Sequence, residues 1–98
     1  MQMYSDGTAI VLVGDFDVRS TMEVRAAIYA HLAVRDDVVI DLNEVSSVDL
    51  TALKVLAMAT RNAAARGKRL TLRGCGRPVR RMIHLTHMAY MLEVERAA

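Results

Sequence analysis

The chain has one cysteine, one proline and no tryptophan in 98 residues. With Cys75 alone, no intramolecular disulfide forms and no thiolate cage for zinc is available. Its aromatic side chains, Tyr4, Phe16, Tyr29 and Tyr90, are too sparse for a base-stacking nucleic-acid platform. Apolar runs are short, and none approaches the roughly 20 residues of a membrane span. The leading MQMYSDGTAIVLVGD lacks the basic start of a signal peptide and soon meets an acidic residue, so the expected location is the cytoplasm. A P-loop, a dinucleotide glycine fingerprint and an H-E-x-x-H motif are all missing. His31, His84 and His87 fall without metal-ligand spacing. Neither an enzyme, nor a cofactor, nor a metal centre is expected.

What is present is apolar and unevenly charged. Hydrophobic residues make up 53% of the chain, enough to bury a core, and the length suits a single domain over 1–98. Residues 1–49 carry a net charge of −6, and residues 50–98 a net charge of +8. Such asymmetry either steers a charged partner or disappears when both halves fold into one body and the signs intermix. The set Arg66, Lys68, Arg69, Arg73, Arg77, Arg80 and Arg81 is dense, but it falls on two helix ends and a strand. Direct nucleic-acid contact is therefore not expected.

Read in order, Met1–Asp6 predicts a short edge strand or an ordered arm, with Asp6-Gly7 as the turn. Ala9–Val13 is continuously apolar, as in a strand covered on both faces, and Gly14-Asp15-Phe16-Asp17 ends it. Ser20-Thr21-Met22-Glu23 has the form of a capping box. The helix it opens runs to about Val34, with Val24, Ala27, Ile28 and Leu32 as its inner stripe. Val38–Leu42 predicts a second central strand, reached by a helical crossover. A polar loop over 43–49 follows.

Asp49 caps a second helix, from about Leu50 to Arg66, with Gly67 beyond its end. On that helix Leu53, Leu56, Ala57, Thr60, Ala63 and Ala64 share one face. Thr51, Lys54, Met58, Asn62 and Ala65 share the opposite, solvated one. Arg69–Arg73 alternates as a half-buried strand. Arg77-Pro78 opens a third helix, with proline at its first position and Val79, Met82, Ile83 and Met88 turned inward. A weak last strand is expected around Leu92–Val94. The pattern is α/β.

Gly14-Asp15-Phe16-Asp17, the helix after it, VVIDL, the loop closing on Asp49 and GKRLTLRG together resemble a STAS domain. The order and spacing match from about Thr8 to Val94. That resemblance implies a STAS-like mixed β-sheet of four to five strands with α-helices packed against it. It further implies an anti-sigma factor antagonist, which binds a GHKL-type kinase anti-sigma factor through the 43–58 surface and so releases a sigma factor. Asp17, Asp49, Leu50, Thr51, Lys54 and Met58 are the partner-binding residues this implies. In the family a Ser or Thr directly after the loop aspartate takes a phosphate that breaks the contact. That position is Leu50 here, so the switch either moves to Thr51 or is absent. The same resemblance also fits an accessory subunit of a lipid-type ABC transporter.

Overall fold

A computed structural model describes residues 1–95 of the chain. The order is β1 (Gln2–Asp6), β2 (Ala9–Phe16), α1 (Thr21–Val34), β3 (Asp37–Val48), α2 (Leu50–Ala65), β4 (Arg69–Arg73) and α3 (Arg77–Leu85), then a 3-10 turn at Ala89–Met91. The strands form a four-stranded sheet in the order β1-β2-β3-β4. β1 is antiparallel to β2, whereas β2–β3 and β3–β4 are parallel. Two successive strand–helix–strand units thus build the parallel part, and a hairpin adds the antiparallel edge. The expected fifth strand is reduced to one parallel bridge between Leu72 and Val94.

The strand pattern explains which face carries the helices. Ile10, Leu12, Val38, Ile40, Leu42, Leu70 and Leu72 alternate onto one face and are all buried. Against them pack Val24, Ile28 and Leu32 from α1, Leu53 and Leu56 from α2, and Val79 and Ile83 from α3, forming one core. Met88 joins this core from beyond the end of α3.

Four expectations need correction. β2 does not stop at Val13 but runs to Phe16, and the 43–49 loop is instead the second half of β3. The pairing of β2 with β3 shifts register between Val11 and Val13 and again between Gly14 and Asp15. At each shift β3 carries one extra residue, so Val45 and Val48, its buried residues there, lie three apart instead of two. The alternation that marks a strand is thereby erased from the sequence.

Secondly, Ser20 makes no side-chain cap at α1. Its hydroxyl turns back and donates to the Asp17 carbonyl at 3.3 Å, while Thr21 Oγ1 donates to the Val18 carbonyl at 3.2 Å. The Asp17–Ser20 turn thus uses up the hydroxyl that a capping box needs.

Thirdly, the buried face of α2 comprises Ala52, Leu53, Leu56, Ala57, Ala59 and Ala63. Ala64 is exposed and Thr60 only half-buried, the latter donating its hydroxyl to the Leu56 carbonyl at 2.7 Å. The helix is rotated toward Ala52 and Ala59, where methyl groups let it sit close against its neighbours. Lastly, Gly76 is the cap of α3, which puts Pro78 at the second helical position.

Candidate functional site

The C-terminal ends of β2 and β3 lie side by side, with Phe16 paired to Val48. From there the chain turns directly into α1 and α2, so both helix starts meet at one edge of the molecule. Asp49 sits at the junction, and each of its carboxylate oxygens has a backbone donor. Oδ1 accepts from the Ala52 N–H at 2.8 Å and Oδ2 from the Val18 N–H at 3.1 Å. The first bond satisfies one of the orphan donors of the helix start. The second ties that start to the turn leading into α1.

Asp17 is on the same edge but is occupied differently. Its carboxylate accepts from the Arg19 backbone N–H at 3.0 Å and from Arg19 Nε and Nη2 at 3.0 and 2.6 Å. These bonds from Arg19 hold the Asp17 carboxyl down to about 2 and raise Arg19 in turn. One residue pair before Phe16–Val48, Ser47 Oγ donates to Asp15 at 2.7 Å.

The exposed face of α2 carries the remaining candidates. Leu50 is 44% exposed and Met58 55% exposed, with Thr51 and Lys54 exposed between them. Large apolar side chains on a solvated helix face are the informative observation here, since an ordinary surface would hold them singly. Val18 and Met22, across the junction at the start of α1, are exposed as well. The sequence reading missed those two; an apolar residue on each side of the Arg19-Ser20-Thr21 turn was the signal available.

Thr51, Lys54, Val55, Met58 and Asn62 of α2 face Arg25 and Tyr29 of α1 across a shallow groove of about 240 Å³. Asn62 Nδ2 donates to the Tyr29 hydroxyl at 2.6 Å, and the Arg25 guanidinium lies 5.3 Å from the centre of the Tyr29 ring. Thr51 Oγ1 makes no hydrogen bond among the described residues. Thr51, Lys54 and Met58 thus share one groove, Leu50 and Asp49 precede it in the chain without lining it, and Asp17 stands apart on its own arginine.

The basic set does not converge. Arg69 pairs with Glu93 at 2.6 Å and Arg73 with Asp41 at 3.1 Å. Lys68 donates to the Leu32 carbonyl, and Arg80 to the Cys75 carbonyl at 2.8 Å. Cys75 is buried in the core, and burial pushes its thiol up.

A helical junction of this kind on a mixed sheet is the architecture of a STAS domain, and the comparisons agree. The chain belongs to the STAS family: the family model described as "Mlab, STAS domain" matches residues 1–93. The Thermotoga maritima protein TM1081 superimposes with a TM-score of 0.78 at 14% identity, over 98% of this chain and 86% of that one. An anti-sigma factor antagonist from Mycobacterium paratuberculosis gives a TM-score of 0.77 at 23% identity, over 98% of this chain and 84% of that one. The phosphorylated form of the Bacillus cell fate determinant SpoIIAA gives 0.70 at 15% identity, over 97% and 90%. At these identities the likeness shows the fold. Comparison with curated proteins gives no match.

Proposed function

We propose that this STAS domain is a non-enzymatic binding protein that docks on an anti-sigma factor through the end of β3 and the exposed face of α2, residues 43–58. The observation that supports it most is the row Leu50, Thr51, Lys54 and Met58. These four solvated side chains, apolar and charged, sit on a helix whose start Asp49 fixes at both oxygens. A rigid helix face with apolar anchors is what a protein partner recognises with little ordering cost. That two of the similar structures are an anti-sigma factor antagonist and a phosphorylated SpoIIAA supports the same reading.

The partner on this reading is a GHKL-type kinase, and the protein works in the cytoplasm. Among the described residues no helix is long and apolar enough to cross a membrane. Leu50, directly after Asp49, has no hydroxyl to phosphorylate, which leaves Thr51 as the only acceptor on that turn. A phosphate there would lie in the groove lined by Arg25 and Lys54. Two cations would partly neutralise it, so phosphorylation would act by reshaping the groove as much as by repulsion.

The test is a titration of the protein with the anti-sigma factor recovered by affinity capture. Lys54→Glu and Thr51→Glu are expected to weaken binding while the circular dichroism spectrum stays that of the wild type. Unchanged affinity in both variants moves the interface off this face. Incubation with the kinase and ATP, followed by intact-mass measurement, decides whether Thr51 is modified.

A second reading, an accessory subunit of a lipid-type ABC transporter, is kept because the matching family model carries the Mlab description. Capture of transporter permease and ATPase subunits instead of a kinase would select it.

A further inference from the structure

The two edges of the sheet are treated differently. At the β4 edge the backbone of Leu72 is satisfied on its open side: its N–H donates to the Glu93 carbonyl at 2.8 Å, and its carbonyl accepts from Glu95 at 2.7 Å. Arg69–Glu93 adds a charged guard. Among the described residues the β1 edge has no such cover and few of the usual protections. It contains no proline and no lysine, its pairing with β2 runs without a register shift, and its one charge, Asp6, stands next to the turn.

Which groups β1 leaves open follows from the hydrogen-bond phase. Gly7 and Thr8 form a two-residue loop between the paired residues Asp6 and Ala9, and Gly7 has φ +61, as the first position of a type II′ hairpin turn requires. The closing pair of such a hairpin is hydrogen-bonded, so Tyr4–Val11 and Gln2–Val13 are hydrogen-bonded too. The far side of β2 agrees, since the Thr8 carbonyl accepts from the Val39 N–H, which puts the even residues of β2 toward β3. The N–H and C=O groups of Met3 and Ser5 therefore point away from the sheet, with no partner among the described residues.

We infer that β1 pairs antiparallel with β1 of a second copy, on a two-fold axis through Tyr4, making one continuous sheet across the dimer. In that register Met3 faces the second copy's Ser5 and exchanges both backbone hydrogen bonds with it, and the axis repeats the exchange. Tyr4 meets its own copy as a non-hydrogen-bonded pair, with Cα atoms about 4.5 Å apart. Gln2 faces Asp6, so no like charges oppose each other. This register pairs all five residues of the strand; sliding it by one step in either direction leaves some unpaired and brings Met3 or Ser5 onto itself. Tyr4 is 52% exposed and lies on the face of the sheet opposite Ile10 and Leu12, where it is free to stack.

On the other face the flank of α1 beside β1 is mostly small and apolar around one histidine. His31 Nε2 contacts Ser5 Oγ at 3.1 Å and marks that flank, and Ala27, Ala30 and the 79% exposed Val34 share it. Extending the sheet would bring the two α1 flanks together. Such self-complementarity favours a second copy over a foreign strand. The residues of the α2 groove are not used, so dimerisation and the proposed partner contact are separable.

The experiment is sedimentation equilibrium over a wide concentration range on wild type and Ser5→Pro, with cysteine crosslinking of Tyr4→Cys. The wild type is expected to show a monomer–dimer equilibrium. Ser5→Pro removes one outward backbone N–H together with the exposed Ser5 Oγ–His31 contact and no hydrogen bond of the β1–β2 ladder, so it should give a monomer with an unchanged circular dichroism spectrum. Tyr4→Cys should form a disulfide-linked dimer under mild oxidation, and Asp6→Cys, which faces Gln2, should not. A wild type that stays monomeric throughout overturns the inference. So does a dimer in which Tyr4→Cys crosslinks no better than Asp6→Cys, whether or not Ser5→Pro folds.

Discussion

The Asp49 carboxylate accepts a hydrogen bond from the Val18 N–H at 3.1 Å, from a residue 31 positions earlier in the chain. The same carboxylate caps α2 through Ala52. One side chain therefore couples the start of α2 to the turn that opens α1, and the exposed faces of both helices are held in one frame. If the partner docks on α2 as proposed, its binding would depend on a residue that need not touch it.

Asp49→Ala should destabilise the fold by about 1–2 kcal/mol, because it removes a cap and leaves the Val18 N–H to water. Asp49→Asn keeps one acceptor oxygen and should recover roughly half of that loss. Urea unfolding of the three proteins measures it, with an unchanged m-value if only the native state is affected. Equal stability of wild type and Asp49→Ala would mean that the carboxylate bonds contribute nothing net.

Asp17 should titrate near 2, far below an ordinary aspartate, because Arg19 donates to it from both side chain and backbone. A folded-state value depressed below the unfolded one contributes stability above about pH 4, and that contribution is lost as pH falls toward 2. The pair is open to solvent, so the effect on stability is small and the titration itself is the sensitive observable. A carboxyl carbon NMR titration checks it, and Arg19→Ala should move the midpoint up toward the usual range. A midpoint near 4 in the wild type would show that the pair does not form in solution.

Much of this fold is readable from the residues, for reasons that also explain the failures. AIVLV is uninterrupted, VVIDL is broken only by Asp41, and RLTLR alternates strictly, so their strands are plain. The Asp49 cap and the Thr51, Lys54, Met58 face follow from local hydrogen bonding and 3.6-residue spacing. The second half of β3 is invisible because its two extra residues break the alternation. Ser20 misleads because a hydroxyl that suits a cap suits the preceding turn equally well. The Val18–Asp49 bond and the Arg25–Thr51 groove join distant segments, which no local pattern encodes.

Gly74 shows a constraint of that long-range kind. It has φ +73, and a Cβ built there would lie 2.3 Å from the Asn43 side chain. Asn43 is itself held, its amide and backbone N–H both donating to Asp41 at 2.9 Å. Gly74→Ala should cost about 2 kcal/mol or more, of which the left-handed backbone accounts for roughly 1–2. In an Asn43→Ala background the steric part disappears, so the same substitution should cost clearly less. A double-mutant cycle in urea isolates the coupling, and additive losses would place Asn43 away from Gly74 in solution.

Leu50 allows fold and function to be separated on one residue. It is 44% exposed at the first position of α2, and its side chain takes no part in the Asp49 cap. Leu50→Ser should therefore change stability by no more than about 0.5 kcal/mol. If Leu50 is an apolar anchor for the partner, the same change should weaken binding about tenfold, equivalent to about 1.4 kcal/mol. Leu50→Asp should weaken it further, since a charge would then be desolvated at the contact. The serine also restores a hydroxyl directly after Asp49, beside the free N–H groups of the helix start, where a phosphate is favourably placed. Intact-mass measurement after incubation with the captured kinase and ATP should show one added phosphoryl group on Leu50→Ser that the wild type lacks at this position. Calorimetric titration of the partner reads the affinity. Full affinity in both variants would remove Leu50 from the interface, leaving Lys54 and Met58 to carry the contact from the groove side of α2.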